Sequence, residues 1–201
     1  MTSRLLACLI LASTLALQGC PVLIFGAAVG GTAFMTTERR TSDVLLADER
    51  IEWTSVQRLR ESGRWEHMNL NVTSYNRIAL LTGQTANDEA RQLAEKIVSE
   101  IPGVRGVSNE LVVGPFSNFG ARSGDSLVTT QVKARLVSGT GVNPAHVKVV
   151  TESGVVYLLG LVTQSESDAA AKTAAGTQGV RKVVKFFEYI ADPVGDSEPK
   201  T

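Results

Sequence analysis

In the second half of the chain Val128, Val132 and Leu136 recur at i, i+4 and i+8, which predicts a helix with one apolar face. Asp125 is placed to cap it, and Gly139 and Gly141 to stop it just after Val137. Val147, Val149 and Thr151 then alternate with polar residues as a strand. Ser153-Gly154 supplies a tight hairpin turn, and VVYLLG, Val155 to Gly160, returns as a more buried antiparallel strand. Thr163 followed by Glu166 is a capping-box pattern opening an alanine-rich helix that reaches about Ala175, with Gly176 and Gly179 after it. The last strand has period two: Val183, Lys185, Phe187 and Tyr189 face one way, Val184, Phe186 and Glu188 the other.

The same order is legible earlier. A helix runs from about Leu46 to Glu61, strands lie near Leu70–Tyr75 and Ile78–Leu81, a helix spans about Asn87 to Glu100, and a strand lies near Val104–Val113. At an offset of about 77 residues Asp48 falls on Asp125, Ile51 on Val128, Leu59 on Leu136, Leu70 on Val147, Leu81 on Leu158, Gly83 on Gly160 and Ala94 on Ala171. After a one-residue slip, Gly103-Val104-Arg105 falls on Gly179-Val180-Arg181. The pattern predicts an α+β protein of two tandem small α-β-β-α-β domains, each a three-stranded sheet packed by two helices. The second helix of each is expected to cross over right-handedly, and the other sheet face to stay open or to pack on the sister domain. The expected boundaries are a first domain at 43–114, a linker at 115–123, a second domain at 124–191 and a tail at 192–201. Phe116 and Phe119 at the joint are expected to pack between the domains, since burying one ring stabilises by roughly 2 kcal/mol.

The first forty residues are of another kind. Arg4, an apolar run from Leu5 to Leu17 and small residues before Cys20 describe an export signal at 1–19, too short for a typical membrane span. Leu17-Gln18-Gly19-Cys20 resembles the lipobox of bacterial lipoproteins. The resemblance implies cleavage before Cys20 and lipidation of its sulfur, and Pro21 after it an outer-membrane destination in enteric-type sorting. Residues 20–42 are then a lipidated terminus and tether. Two or three acyl chains, at about 0.8 kcal/mol per buried methylene, hold effectively permanently.

A formal net charge of zero gives no general pull toward nucleic acid. The charge is unevenly spread: eleven acidic against eight basic residues from Asp43 to Gly114, eight basic against five acidic from Ala121 to Ile190. The two cysteines, Cys8 and Cys20, leave the domains neither a disulfide nor a cysteine-ligated metal. His67 and His146 have no ligand at metal spacing. Asp88, Glu89 and Glu166 fall in first helical turns, where acids favour the helix dipole. Ser123, Ser126 and Ser165 lack a nucleophile-elbow setting, and Gly26, Gly30 and Gly31 do not follow a strand. No catalytic residue, no metal and no cofactor beyond the covalent lipid on Cys20 are expected.

The element order, the strand pair in HVKVVTESGVVYLLGLV, the capped helix after it and the Gly-Val before the last strand together resemble the BON domain, in tandem behind a lipoprotein signal. This arrangement is similar to tandem-BON outer-membrane lipoproteins and, less closely, to soluble periplasmic tandem-BON proteins. The resemblance implies non-enzymatic binding, commonly of phospholipid, facing the periplasm, and a role in envelope integrity. Envelope proteins are the alternative partner, as for an adaptor of outer-membrane assembly or division machinery, and a general stress-protective role is a third reading. Nucleic acid is not expected, and the oligomeric state is open. The candidate lipid-binding residues lie on the first helix of the second copy: Leu127 and Ala134 as an apolar edge, with Arg122, Lys133 and Arg135 as nearby cations.

Overall fold

The computed structural model describes residues 38–138 and 141–191; the expected signal, Cys20, the tether as far as residue 37, the Gly139 stop and the 192–201 tail lie outside the described residues. Domain 1 is built from α1 (Ser42–Glu61), β1 (Met68–Tyr75), β2 (Ile78–Thr85), α2 (Asp88–Ser99) and β3 (Gly106–Val113). Domain 2 repeats the order with α3 (Phe119–Val137), β4 (Val147–Glu152), β5 (Val155–Val162), α4 (Gln164–Ala175) and β6 (Lys182–Tyr189). In each sheet the middle strand pairs antiparallel with the first and parallel with the third.

Each domain has its own core on one sheet face. Ile51 and Leu59 of α1 and Ala94 and Val98 of α2 cover Leu70, Val72 and Leu81. Val132 and Leu136 of α3 and Ala170 and Ala174 of α4 cover Val149, Val156 and Leu158. The partner of Ala94 is therefore Ala170, not Ala171. The one-residue slip falls before the second helix rather than after it, because that helix is capped by Asn87 in one copy and by Thr163 in the other. Thr163 and Glu166 form the expected capping box.

The glycine shared by the two middle strands is required by close backbone approach. A Cβ on Gly83 would lie 2.3 Å from the Asn69 carbonyl oxygen, and one on Gly160 2.4 Å from that of His146. Both are backbone atoms that no rotamer change moves away.

The sheets' other faces pack on each other. Tyr75 and Leu80 of domain 1 and Tyr157 and Leu159 of domain 2 form a third apolar cluster, flanked by Val150, Leu161, Val184 and Phe186. Polar contacts cross the same seam. Gln84 Nε2 donates to Glu152 Oε1 at 2.6 Å, Lys148 Nζ to Glu52 Oε1 at 2.7 Å, and Asn76 Nδ2 to Glu188 Oε1 at 2.7 Å. The Tyr75 hydroxyl donates to the His146 carbonyl and accepts from the Leu161 amide, both at 3.4 Å.

The joint differs from expectation. α3 starts at Phe119 with Asn118 as its cap, so Asp125 lies inside the helix and the connection shortens to Gly114–Asn118. Phe119 is 81 % exposed and Phe116 44 %, so neither ring is packed away between the domains; the polar and apolar contacts just described hold the seam without them.

Candidate functional site

Asp125 does not cap α3 but docks it. Its carboxylate accepts from the amides of Ser153 and Gly154 at 2.7 and 2.8 Å. Both turn residues have positive φ, the type I′ geometry that suits a two-residue hairpin. Asp48 of α1 does the same for Asn76 and Arg77, at 2.8 and 2.7 Å. Farther along α3, Thr129 Oγ1 donates to Thr151 Oγ1 at 2.7 Å, and Arg135 Nη1 to the Gly176 carbonyl at 2.6 Å. The helix is thus fixed on its inner side, with Val128, Val132 and Leu136 in the core.

Its outer side is free. At about 100° per residue, Ala134 lies nearly opposite the buried row, with Phe119 and Val137 to one side of it, followed by Lys133 and Arg122, and Leu127 to the other. Phe119, Val137 and Leu127 are among the exposed large apolar residues, Leu127 at 64 %. The same exposed set includes Val112, Val113 and Phe116, which lead into the helix.

Of the residues read from sequence, Leu127, Lys133 and Ala134 are exposed on this outer side. Arg122 is exposed but donates to Asn69 Oδ1 at 3.2 Å. Arg135 does not belong to the face: its angle places it near the buried row, and its guanidinium ties α3 to the end of α4. Phe119 joins this face because α3 begins six residues before the expected Asp125 cap: Asn118, which accepts from the Ala121 amide at 2.9 Å, is its cap.

Chemistry elsewhere is sparse. A cleft of about 360 Å³ opens beside the seam, lined by Gln84, Glu110, Glu152, Tyr157 and Arg181 among others. Burial pushes the Tyr157 hydroxyl up to about 12, with Glu110 and Glu152 adding to it. Burial also raises the Glu152 carboxyl, against the hydrogen bond from Gln84. No nucleophile is paired with a base there. His146 is buried with Nδ1 3.5 Å from Glu166, while His67 sits 3.6 Å from Glu66 on the surface side. Among the described residues no group of three or more His, Cys, Asp or Glu is placed to hold a metal, and no helix is long and apolar enough to cross a membrane.

The paired α-β-β-α-β units coincide with two matches to the BON domain family, at residues 47–115 and 124–191. The chain belongs to the BON-domain family. It is 37% identical over 185 residues to the outer membrane lipoprotein DolP of Haemophilus influenzae, covering 90% of this chain and 94% of that protein. It is 33% identical over 152 residues to a 21 kDa hemolysin of Actinobacillus pleuropneumoniae, covering 75% and 78% of the two chains. A weaker likeness, 31% over 118 residues, relates it to the osmotically-inducible protein Y of Escherichia coli, covering 57% and 59%. The exposed face described above therefore lies on the first helix of the second BON domain, and the seam joins the sheets of the two BON domains.

Proposed function

We propose that this BON-domain protein is a non-enzymatic envelope lipoprotein, held in the outer membrane through a lipidated Cys20 with its domains toward the periplasm, that touches anionic phospholipid and supports outer-membrane integrity. The observation that carries the reading is the outer face of α3: a phenylalanine 81 % exposed at its start, Leu127 at 64 %, and Lys133 on its flank. An apolar centre with a basic edge is the pattern of an interfacial helix. One inserted ring contributes roughly 2 kcal/mol and each nearby cation about 1 kcal/mol, which makes a weak contact by itself. An anchor on the same chain makes a weak contact effective by raising its local concentration. The 37% likeness to a protein named an outer membrane lipoprotein supports the location.

The test is co-sedimentation of a fragment starting at Thr36 with phosphatidylglycerol-containing and with phosphatidylcholine vesicles. Binding to the anionic vesicles, weakened by salt and lost in Phe119→Ser, Leu127→Glu and Lys133→Glu, is the expected result. Absence of binding in the parent overturns the lipid reading. It would favour the second reading, a protein-interaction adaptor, for which domain 1 has its own observation: Leu46 and Trp53, two turns apart on the outside of α1, are 65 % and 64 % exposed.

A further inference from the structure

The residues just before α1 grip both domains. Arg39 reaches domain 2, where its guanidinium forks onto the Glu166 carboxylate at 2.6 and 3.0 Å and donates to the Leu161 carbonyl at 2.7 Å. Arg40 turns to domain 1. It donates to Asp48 Oδ2 at 2.9 Å and to Glu38 at 3.0 and 3.3 Å, and its guanidinium lies 3.8 Å above the Tyr75 ring. Tyr75 is the residue whose hydroxyl bridges to the domain 2 backbone at His146 and Leu161. The two side chains are only 23% and 10% exposed, and a planar fork on a carboxylate is the stronger kind of ion pair.

The Arg39 site exists in one copy only. At the place in α2 that corresponds to Glu166, three residues past the cap, stands Ala90. The site is thus not a general feature of the repeat but is matched to an arginine arriving from outside it.

We propose that Glu38–Thr41 is a strap: the consecutive arginines lock domain 2 against domain 1. The strap also withdraws Arg39 and Arg40 from lipid. Both guanidinium groups are occupied by protein carboxylates, so they are not part of a basic membrane patch, in contrast to Lys133. This holds whether or not the α3 face binds phospholipid.

Hydrogen exchange of the full chain in detergent tests it. In Arg39→Ala, amides at the seam, above all Leu161 and the β1–β2 hairpin, are expected to exchange about tenfold faster, while core amides of α1 and α3 near Ile51 and Val132 keep the parental rate. Arg39→Glu, which sets two carboxylates against each other, should exceed that effect, and Arg39→Glu with Glu166→Lys should return seam exchange toward the parent. Unchanged seam exchange in Arg39→Ala and Arg39→Glu overturns the strap. So does acceleration spread evenly over seam and cores, which would mark a general loss of stability. If Arg40→Ala does not fold, because it leaves Asp48 buried without its cation, the Arg39 series decides alone.

Discussion

Domain 1 lines its half of the seam largely with polar residues, Asn69, Asn71, Thr73, Thr82 and Gln84 beside Tyr75 and Leu80. Domain 2 lines its half with Val150, Tyr157, Leu159, Leu161, Val184 and Phe186. The helix-to-turn clamps differ as well. Asp125 holds a Ser-Gly turn through two amides. Asp48 holds an Asn-Arg turn and also receives Ser74 Oγ at 2.6 Å and Arg40 at 2.9 Å. A non-glycine residue in the left-handed region costs roughly 1 kcal/mol, so Arg77, at φ 66°, needs the stronger clamp. Two copies of one fold thus differ at the seam: domain 1 brings more polar side chains to it, and domain 2 more apolar cover.

The largest expected effect breaks this comparison at the clamps. Asp48→Ala leaves the Arg40 guanidinium with Glu38 alone and strands a buried hydroxyl and two turn amides, and should cost on the order of 3 kcal/mol. Asp125→Ala strands two amides near the surface and should cost about 1–2 kcal/mol. Urea unfolding of the two variants measures the difference. Equal losses would show that the extra partners of Asp48 add nothing.

Next comes Glu166, through which the strap reaches domain 2. Burial pushes its carboxyl up, but the Arg39 hydrogen bonds, the Thr163 amide and His146 outweigh this and hold it below the ordinary glutamate value of 4.5. A carboxyl lowered in the folded state contributes stability that is complete above that value and is lost as pH falls through the folded one. Glu166→Gln should therefore cost about 1–2 kcal/mol at pH 7 and flatten the decline of stability on the acid side of 4.5. Thermal unfolding at pH 7 and pH 3.5 checks both parts. A parallel loss at the two pH values would assign the effect to the capping box instead.

How much of this was legible depends on whether a residue's partner is local. Thr163 and Glu166, Ser153-Gly154 and the alternation along β6 could be read because each signal is completed within a few residues. Asp48 and Asp125 were visible as a matched pair, but their partners lie 28 and 29 residues on, so their task was not. The seam was hidden for a further reason: Asn69, Asn71 and Gln84 on alternating positions look like a solvent face, and only the opposing domain, with Glu152 accepting from Gln84, buries Gln84. The partner of Arg39 lies 127 residues away. On α3, the exposure of Leu127, Lys133 and Ala134 follows from helical geometry, whereas the tie of Arg135 to Gly176 is a tertiary contact that no local pattern shows.

A smaller effect sharpens the seam. Thr82 is 1% exposed, and its hydroxyl finds no hydrogen-bond partner among the described residues. Thr82→Val keeps the shape, removes that unsatisfied group and makes the domain 1 side more like the domain 2 side. It should stabilise by about 1 kcal/mol, seen as a raised urea midpoint with unchanged slope. A destabilised variant would mean that the polar character of this face is needed at Thr82 itself.

The smallest effect concerns the carboxylate that domain 2 offers to that polar face. Burial raises the Glu152 carboxyl above 4.5, opposed by the hydrogen bond from Gln84 and assisted by the nearby Asp125. The sign is opposite to that of Glu166. A carboxyl raised in the folded state weakens the fold once pH exceeds its unfolded value, and has no such effect below it. Glu152→Gln retains an oxygen to accept from Gln84 Nε2, at 2.6 Å in the parent, and removes the charge. Because the group is partly open to solvent, only about 0.5 kcal/mol of stabilisation is expected at pH 7, and none at pH 3.5. Thermal unfolding at the two pH values against the parent reads the difference directly. A loss at pH 7 would mean that the charge itself strengthens the contact with Gln84 and Asn71, and that domain 1 reads domain 2 as an anion rather than as a hydrogen-bond acceptor.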